Sequence, residues 1–229
     1  MIKVVLCGYR NWALRIFDSI SLISNVKILD IITSKEDYLS KENDFNDEID
    51  IILFIGWSWI IPHNITEKFL CLGIHPSDLP YYRGGSPLQH QIINGIEHTK
   101  VTLMTLSSKK LDAGEIWCKE DLSLDGKNMD AVFLNLIKSS NKMLNSFFNK
   151  YPNIIPMEQE IASGSYFKRR KPEDSKLTKE NLQNMSLKEI YNFTRALTDP
   201  YPNAYIEDEY GNILKLKEVE FIESKETKK

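Results

Sequence analysis

The sequence lacks any run of about 18 consecutive apolar residues, which is the length that a membrane-spanning helix needs. Its opening residues, MIKVVLCGYRNW, also lack the apolar core and the small-residue cleavage site of a secretory signal. They are typical instead of a first β-strand. We therefore expect a cytoplasmic protein with no membrane partner.

An excess of basic residues is also missing. Lys and Arg number 29 against 32 Asp and Glu, so the formal net charge is −3. Proteins that bind a polyanion such as tRNA usually carry a basic excess, because contacts to the phosphate backbone dominate their affinity. The charge balance therefore argues against a nucleic-acid partner.

Cysteine is scarce, with Cys7, Cys71 and Cys118 far apart among apolar neighbours. This arrangement fits no metal-ligand pattern, and no set of His, Cys and carboxylate residues has the spacing of one. We expect buried, reduced thiols and no metal. A dinucleotide fingerprint is missing too, because the segment CGYRNWA around Gly8 has none of the further glycines of that motif.

Short apolar runs that alternate with helical patterns predict an α/β fold. Buried strands are expected at residues 2–7, 26–33, 50–55, 71–74, 100–106 and 115–122, and helices at 12–20, 87–95 and 129–151. These elements predict a doubly wound, mostly parallel, Rossmann-like sheet in a domain over residues 1–155. Ligands of such sheets bind beyond the carboxyl ends of the strands.

The composition becomes polar after this domain. A basic cluster stands at residues 168–171, and it could meet a nucleotide diphosphate or form a solvated patch. Ser186 and Glu189 match a capping box, which predicts a helix to about Leu197. Strands are expected at 204–207 and 213–222, and a charged tail at 223–229. Residues 156–229 are therefore predicted to form a small α/β subdomain.

Two segments concentrate the unusual residues. GIHPSDLPYYRGGSP at residues 73–87 places His75 directly after a strand, and LDAGEI at 111–116 places Asp112 on a tight turn. Prolines and glycines fix the shape of a loop while leaving backbone groups free to meet a ligand. Taken singly, His75 could equally be a structural histidine and Asp112 a turn former.

Together, the segments HPSDLPYYRGGSPLQ (75–89), NGIEHTKVTLMTL (94–106) and LDAGEI (111–116) resemble the folate-dependent formyltransferase family. GWSWIIP at 56–62 resembles the folate-side loop of that family. The resemblance implies 10-formyltetrahydrofolate as the formyl donor, His75 and Asp112 as catalytic residues, and no metal. It also implies folate contacts from Gly56, Trp57, Ser58, Ile60, Ile61 and Leu111, and acceptor contacts from Ser77, Arg83, Gly84 and Gly85. From the residues alone, Arg83 could equally brace its loop, and Trp57 and Trp59 could be core residues.

The C-terminal segments YFKRRKPEDS (166–175) and RALTDPYPNA (195–204) resemble bacterial sugar N-formyltransferases. This likeness implies a small-molecule partner, namely the amine of a nucleotide-linked amino sugar used for surface glycans. The alternatives are another amine, such as methionyl-tRNA, and a non-catalytic homologue that binds folate or a sugar nucleotide. A homodimer is left open.

One position departs from the family pattern. The family carries an asparagine two positions before the histidine, and Gly73 stands there in this sequence. An asparagine side chain can stabilise a developing oxyanion, whereas glycine has no side chain to donate. We expect another donor to fill this role: protonated His75, Gln89, Ser58 or a backbone N–H. A water or the side chain of Ser58 or Gln89 is expected in the vacated volume.

Overall fold

The computed structural model describes residues 1–107 and 111–224, and a six-stranded sheet forms its centre. The strands are β1 (Ile2–Cys7), β2 (Val26–Ile32), β3 (Ile51–Phe54), β4 (Cys71–His75), β6 (His98–Thr105) and β7 (Ile116–Ser123), while β5 (Arg83–Gly84) lies outside the sheet. Their order is β2-β1-β3-β4-β6-β7. The first four strands are parallel, and β6 is antiparallel to both of its neighbours. The predicted α/β fold with a mostly parallel sheet is confirmed.

Helices cover both faces of the sheet. They are α1 (Asn11–Ile20), α2 (Lys35–Lys41), α3 (His63–Lys68), α4 (Pro87–Ile93) and α5 (Met129–Lys150). Successive residues of β1 alternate between the two faces, with Val4 and Leu6 in one apolar core and Val5 and Cys7 in the other. Because both faces are buried, the strands appear in the sequence as continuous apolar runs, which is the pattern that predicted them.

The C-terminal residues contain β8 (Tyr166–Phe167), α6 (Lys179–Asn184), α7 (Leu187–Arg195), β9 (Ala204–Glu207) and β10 (Ile213–Leu216). The capping box is confirmed, because Ser186 Oγ accepts from the Glu189 N–H and the Glu189 carboxylate accepts from the Ser186 N–H. The strand predicted to reach residue 222 ends at Leu216. Residues 225–229 of the predicted tail lie outside the described residues.

These C-terminal residues pack tightly onto the rest of the chain. Strand β8 pairs in parallel with β5, so residues 166–167 lie along the loop that follows His75. The buried Arg195 donates from Nη1 to the carbonyl of Leu124 at 2.8 Å, which ties α7 to the end of β7. The domain boundary at residue 155 stays a prediction.

Candidate functional site

The candidate site lies beyond the carboxyl end of the parallel strands. The strand order reverses between β1 and β3, and β4 ends nearby at His75. Crevices at such reversals are where doubly wound sheets bind their ligands. The side chains of Tyr9, after β1, and Ser58, after β3, meet there in a hydrogen bond of 2.8 Å.

Each ring nitrogen of His75 faces an oxygen atom of the site, and one of the two is hydrogen-bonded. The ring is nearly buried, with Nε2 2.8 Å from the Tyr82 carbonyl and Nδ1 3.6 Å from Asp112 Oδ2. A carbonyl can only accept a hydrogen bond, so Nε2 carries a hydrogen. In the neutral ring, Nδ1 is then the free base, and it faces a carboxylate.

The turn at residues 111–114 positions Asp112 against the histidine loop. Asp112 Oδ2 accepts the Gly84 N–H at 2.8 Å. Gln159 clamps the turn from the other side, because its Nε2 donates to the carbonyls of Asp112 (3.2 Å) and Gly114 (2.6 Å). The structure thus brings together His75 and Asp112, the two residues that the sequence predicted to be catalytic.

Left-handed backbone is concentrated at the same place. Tyr82, Ser86 and Asp112 have φ values of 56°, 55° and 51°, and no other non-glycine residue in the described ranges has a positive φ. Each such residue costs on the order of 1–3 kcal/mol, and strain of this kind clusters at functional sites. All three belong to the two segments that the sequence singled out.

Buried polar side chains brace the histidine loop from below. Gln91 Nε2 donates to the Pro76 carbonyl at 2.8 Å, and Thr102 Oγ1 donates to the Ser77 carbonyl at 2.7 Å. Ser77, predicted to contact the acceptor, is fully buried, and its hydroxyl donates to the Tyr81 carbonyl at 2.6 Å. The structure therefore gives Ser77 a loop-bracing hydrogen bond and no open face toward an acceptor.

The loop glycines lie under the C-terminal segment. A Cβ at Gly84, whose φ is +97°, would lie 2.2 Å from the Phe167 carbonyl oxygen, and a Cβ at Gly85 would lie 2.4 Å from the Arg169 Cα. Both positions therefore require glycine for the close approach of residues 166–169. The sequence predicted acceptor contacts from Arg83, Gly84 and Gly85. In the structure, the Arg83 and Gly85 N–H groups donate to the carbonyls of residues 165 and 167, so this loop is paired with the C-terminal segment.

The predicted folate loop is built on aromatic packing. The Trp57 ring lies 5.4 Å from Tyr38 and 4.7 Å from Trp59, and Ile61 joins the same apolar core. Gly56 turns the chain after β3 with a φ of +63°. Two apolar residues of the predicted folate set are exposed to solvent: Ile60 is 90% exposed and Leu111 is 60% exposed.

The space beside Gly73 is filled by an apolar side chain. Three carbons of Leu106 lie 2.7–3.0 Å from the position that a Cβ at Gly73 would take. The expectation that Ser58 or Gln89 enters this volume is wrong, because Ser58 bonds Tyr9 and Gln89 bonds Tyr201. Leu106 carried no signal in the sequence, since it looked like an ordinary strand-end residue.

Several residues that support the His75 loop and the Asp112 turn could not be predicted from the sequence. Tyr82 acts through its carbonyl, which no sequence pattern reveals, and Gln91, Thr102 and Gln159 are joined to the site only by the fold. In the part of the chain that the structure describes, His, Cys, Asp and Glu side chains form no group of three that could hold a metal ion. Within residues 1–107 and 111–224, no helix has both the length and the apolar character needed to cross a bilayer.

Proteins similar to this chain in sequence and in structure include named formyltransferases. A family model described as formyl transferase matches residues 27–136. A methionyl-tRNA formyltransferase of Campylobacter lari is 31% identical over 212 residues, which cover 91% of this chain and 66% of that protein. A relative of the same name from Rickettsia massiliae is covered to 61% of its length. The chain therefore spans less than two thirds of these curated relatives.

Solved structures extend the comparison to the whole fold. Methionyl-tRNA formyltransferase from Clostridium thermocellum is 30% identical and superposes with a TM-score of 0.79, covering 98% of this chain and 100% of that one. A 4-N formyltransferase from Francisella tularensis shares the fold at 20% identity, with a TM-score of 0.77 and coverage of 96% and 99%. On its fold, its sequence and its His75–Asp112 pair, the chain belongs to the folate-dependent formyltransferase family.

Proposed function

We propose that this protein is a cytoplasmic N-formyltransferase, which moves the formyl group of 10-formyltetrahydrofolate onto the primary amine of a nucleotide-linked amino sugar. The observation that carries the transfer chemistry is the His75–Asp112 pair, in which the free Nδ1 of a nearly buried ring faces a carboxylate oxygen at 3.6 Å. A base beside a carboxylate is what proton removal from an attacking amine requires.

The proposed reaction uses His75 twice. The neutral amine attacks the formyl carbon and a C–N bond forms, while the carbonyl oxygen becomes an oxyanion. His75 Nδ1 takes the proton that the amine releases, and Asp112 stabilises the resulting imidazolium by its charge. As the bond to the folate nitrogen breaks, the same proton is returned to that nitrogen. The Tyr82 carbonyl keeps Nε2 protonated throughout, so Nδ1 remains the working atom.

The residues around the site fit a reduced folate. The pyrimidine half of its pterin is flat and carries N–H donors, so it suits exposed apolar side chains beside a hydrogen-bond acceptor. Ile60 and Leu111 supply the exposed apolar surface, and Gln159 Oε1 is a buried acceptor that has no hydrogen-bond partner among residues 1–107 and 111–224. When bound, the folate supplies the activated formyl group; the chain supplies orientation and the proton path.

An acceptor of small size is supported by the covering of the loop. Residues 166–169 lie directly on Gly84 and Gly85, which leaves the acceptor to approach past a segment of the chain itself. The net charge of −3 gives no general attraction for a polyanion. Both observations favour a compact, soluble amine.

Methionyl-tRNA is the second candidate acceptor. Sequence identity favours it, because relatives and a solved structure of that name are 30–31% identical, against 20% for the 4-N formyltransferase. In that case the same His75–Asp112 chemistry would act on the amine of the methionyl group. The two candidates differ in the acceptor alone.

One experiment separates these acceptors. The protein is incubated with 10-formyltetrahydrofolate and, in parallel, with a panel of nucleotide-linked amino sugars and with methionyl-tRNA. Mass spectrometry is expected to find one added formyl group on an amino sugar. Formylation of methionyl-tRNA alone would favour the second candidate acceptor. If neither class of amine is formylated, the proposed function is contradicted.

A further inference from the structure

A groove with strong positive charge lies beside the site. It has a volume of about 550 Å³ and is lined by His90, Lys168, Arg169, Arg170, Lys171 and Asp174. The four consecutive basic residues follow β8, the strand that lies on the histidine loop. Four cations thus face a single carboxylate.

The charged groups of residues 168–171 form no ion pair with the part of the chain that the structure describes. Among the described residues, no carboxylate lies within 4.0 Å of the charged groups of residues 168–171. The Asp174 carboxylate accepts instead from the Lys171 backbone N–H at 2.7 Å. Uncompensated cations in a groove raise the local concentration of an anionic ligand.

One of the four basic residues holds the segment in place. Arg170 donates from its guanidinium to the Asp174 carbonyl and lies over the Phe193 ring at 5.5 Å, while its backbone N–H donates to Ser86 Oγ at 3.1 Å. Lys168, Arg169 and Lys171 are exposed. The segment is therefore anchored by Arg170 and presents the other three side chains to solvent.

Arg169 links the groove to the candidate site. Its backbone packs against Gly85, whose neighbour Gly84 donates to Asp112. The charge of Arg169 also acts on Tyr201, which bonds Gln89 and feels the charge of Arg10 as well. Burial raises the pKa of Tyr201, and the two guanidinium groups lower it.

From this geometry we propose that Lys168, Arg169 and Lys171 form a subsite for the diphosphate of the acceptor, with Arg169 nearest to the reacting amine. The inference rests on the proposed acceptor class. A guanidinium binds two phosphate oxygens at once, and ammonium groups add point charges, so the three side chains match a diphosphate in charge and in reach. His90 adds no charge, since burial lowers its pKa.

A binding measurement tests the subsite without formyl transfer. Inorganic pyrophosphate is titrated into the protein by calorimetry, together with the variant that combines Arg169→Gln and Lys171→Gln. We expect the variant to raise the dissociation constant at least about tenfold. The matched control combines Lys215→Gln and Lys217→Gln, which remove two exposed charges from the C-terminal hairpin and its continuation and should leave binding unchanged. Equal affinity in variant and control, or no binding to the unaltered protein, would overturn the inference.

A kinetic measurement separates this subsite from the proposed function. With a nucleotide-linked amino sugar as acceptor, the Arg169→Gln and Lys171→Gln variant should raise KM while kcat changes little; with the same amino sugar lacking the nucleotide, KM should not change. A rise in KM for both acceptors would reject the subsite and leave formyl transfer intact. The separate variant Lys168→Gln repeats the test should the double variant fold poorly. If no acceptor is formylated, the pyrophosphate titration still decides the subsite.

Discussion

Leu106 stands where a side chain at Gly73 would begin. Its Cδ2, Cγ and Cδ1 atoms lie 2.7, 2.9 and 3.0 Å from the ideal Cβ position of residue 73. The backbone of Leu106 is fixed, because its N–H donates to the Cys71 carbonyl at 2.8 Å. Glycine at 73 and leucine at 106 are thus a matched pair, and we expect the donor that stabilises the developing oxyanion to come from elsewhere in the site.

This pair predicts that restoring the family asparagine alone will fail. Gly73→Asn should destabilise the protein by about 1–3 kcal/mol through overpacking and should not raise turnover. The combined variant Gly73→Asn with Leu106→Ala should recover part of that stability, because the smaller side chain makes room. Denaturant unfolding and a steady-state formyl-transfer assay measure the two effects.

Leu106→Ala alone is the control, since it opens the space without adding a donor. A large gain in turnover from Gly73→Asn alone, of the roughly hundredfold worth of one oxyanion donor, would show that the natural site is incomplete. That result would favour the weak or non-catalytic alternative.

Removing either member of the His75–Asp112 pair should abolish most of the activity. His75→Ala and Asp112→Asn are each expected to lower kcat at least about a hundredfold, because the proton path loses its base or the charge that supports it. Both variants and the unaltered protein should unfold cooperatively, which shows that the fold is intact. His98→Ala, at the exposed start of β6, serves as the control. Near-normal turnover in both site variants would remove His75 and Asp112 from the mechanism.

Gly84→Ala should disturb both packing and the site. The new Cβ would lie 2.2 Å from the Phe167 carbonyl oxygen, and the backbone N–H at this position holds Asp112. We expect a loss of at least about 3 kcal/mol in the free energy of unfolding, with a fall in turnover. Gly95→Ala is a matched control: Gly95 also has a positive φ, of 77°, but its Cβ would meet nothing within 4 Å. It should cost only about 1 kcal/mol. Equal losses in the two variants would contradict the close-packing argument.

Arg195 is expected to hold the C-terminal helix by its hydrogen bonds. Its Nη1 donates to the carbonyls of Leu124 (2.8 Å) and Gly126 (3.1 Å). Arg195→Met should destabilise the protein by about 2–3 kcal/mol, because the loss leaves buried acceptors unpaired. Lys188→Met, on the same helix, loses an exposed ion pair with Glu97 and the contacts of its ammonium with the Tyr191 and Phe221 rings. It leaves no buried acceptor unpaired, so it should cost about 1 kcal/mol. Thermal unfolding of both variants makes the comparison.

The sequence predicted most of the sheet because a buried strand or helix has a recognisable local pattern of apolar residues. Apolar runs predicted the buried strands β1, β3 and β4, and the long helix α5 was predicted from its amphipathic pattern. Strand direction has no corresponding sequence pattern, so only the structure shows that β6 runs antiparallel to its neighbours. Helices α3 and α6 have six residues each, too few for a periodic pattern.

At the site, the sequence predicted residue types better than their partners. His75 and Asp112 stood out because their motifs are unusual, and the structure brings them together. The neighbours of a side chain are decided by long-range contacts, as the roles of Leu106, Gln159 and Ser165 illustrate. For the same reason, the sequence predicted that the glycines at 84 and 85 contact the acceptor but did not predict their close packing against residues 166–169.

The pairing of β5 with β8 has a consequence for the newly made chain. The Tyr82 N–H is satisfied by Ser165 Oγ, a residue that the ribosome adds 83 positions later. At about 5–20 residues per second, the histidine loop waits roughly 4–17 s for its partner. The strands that carry the site can assemble during that interval, whereas the loop is completed only when the C-terminal segment emerges. Competence for chemistry is therefore acquired only after all six strands of the central sheet have been made.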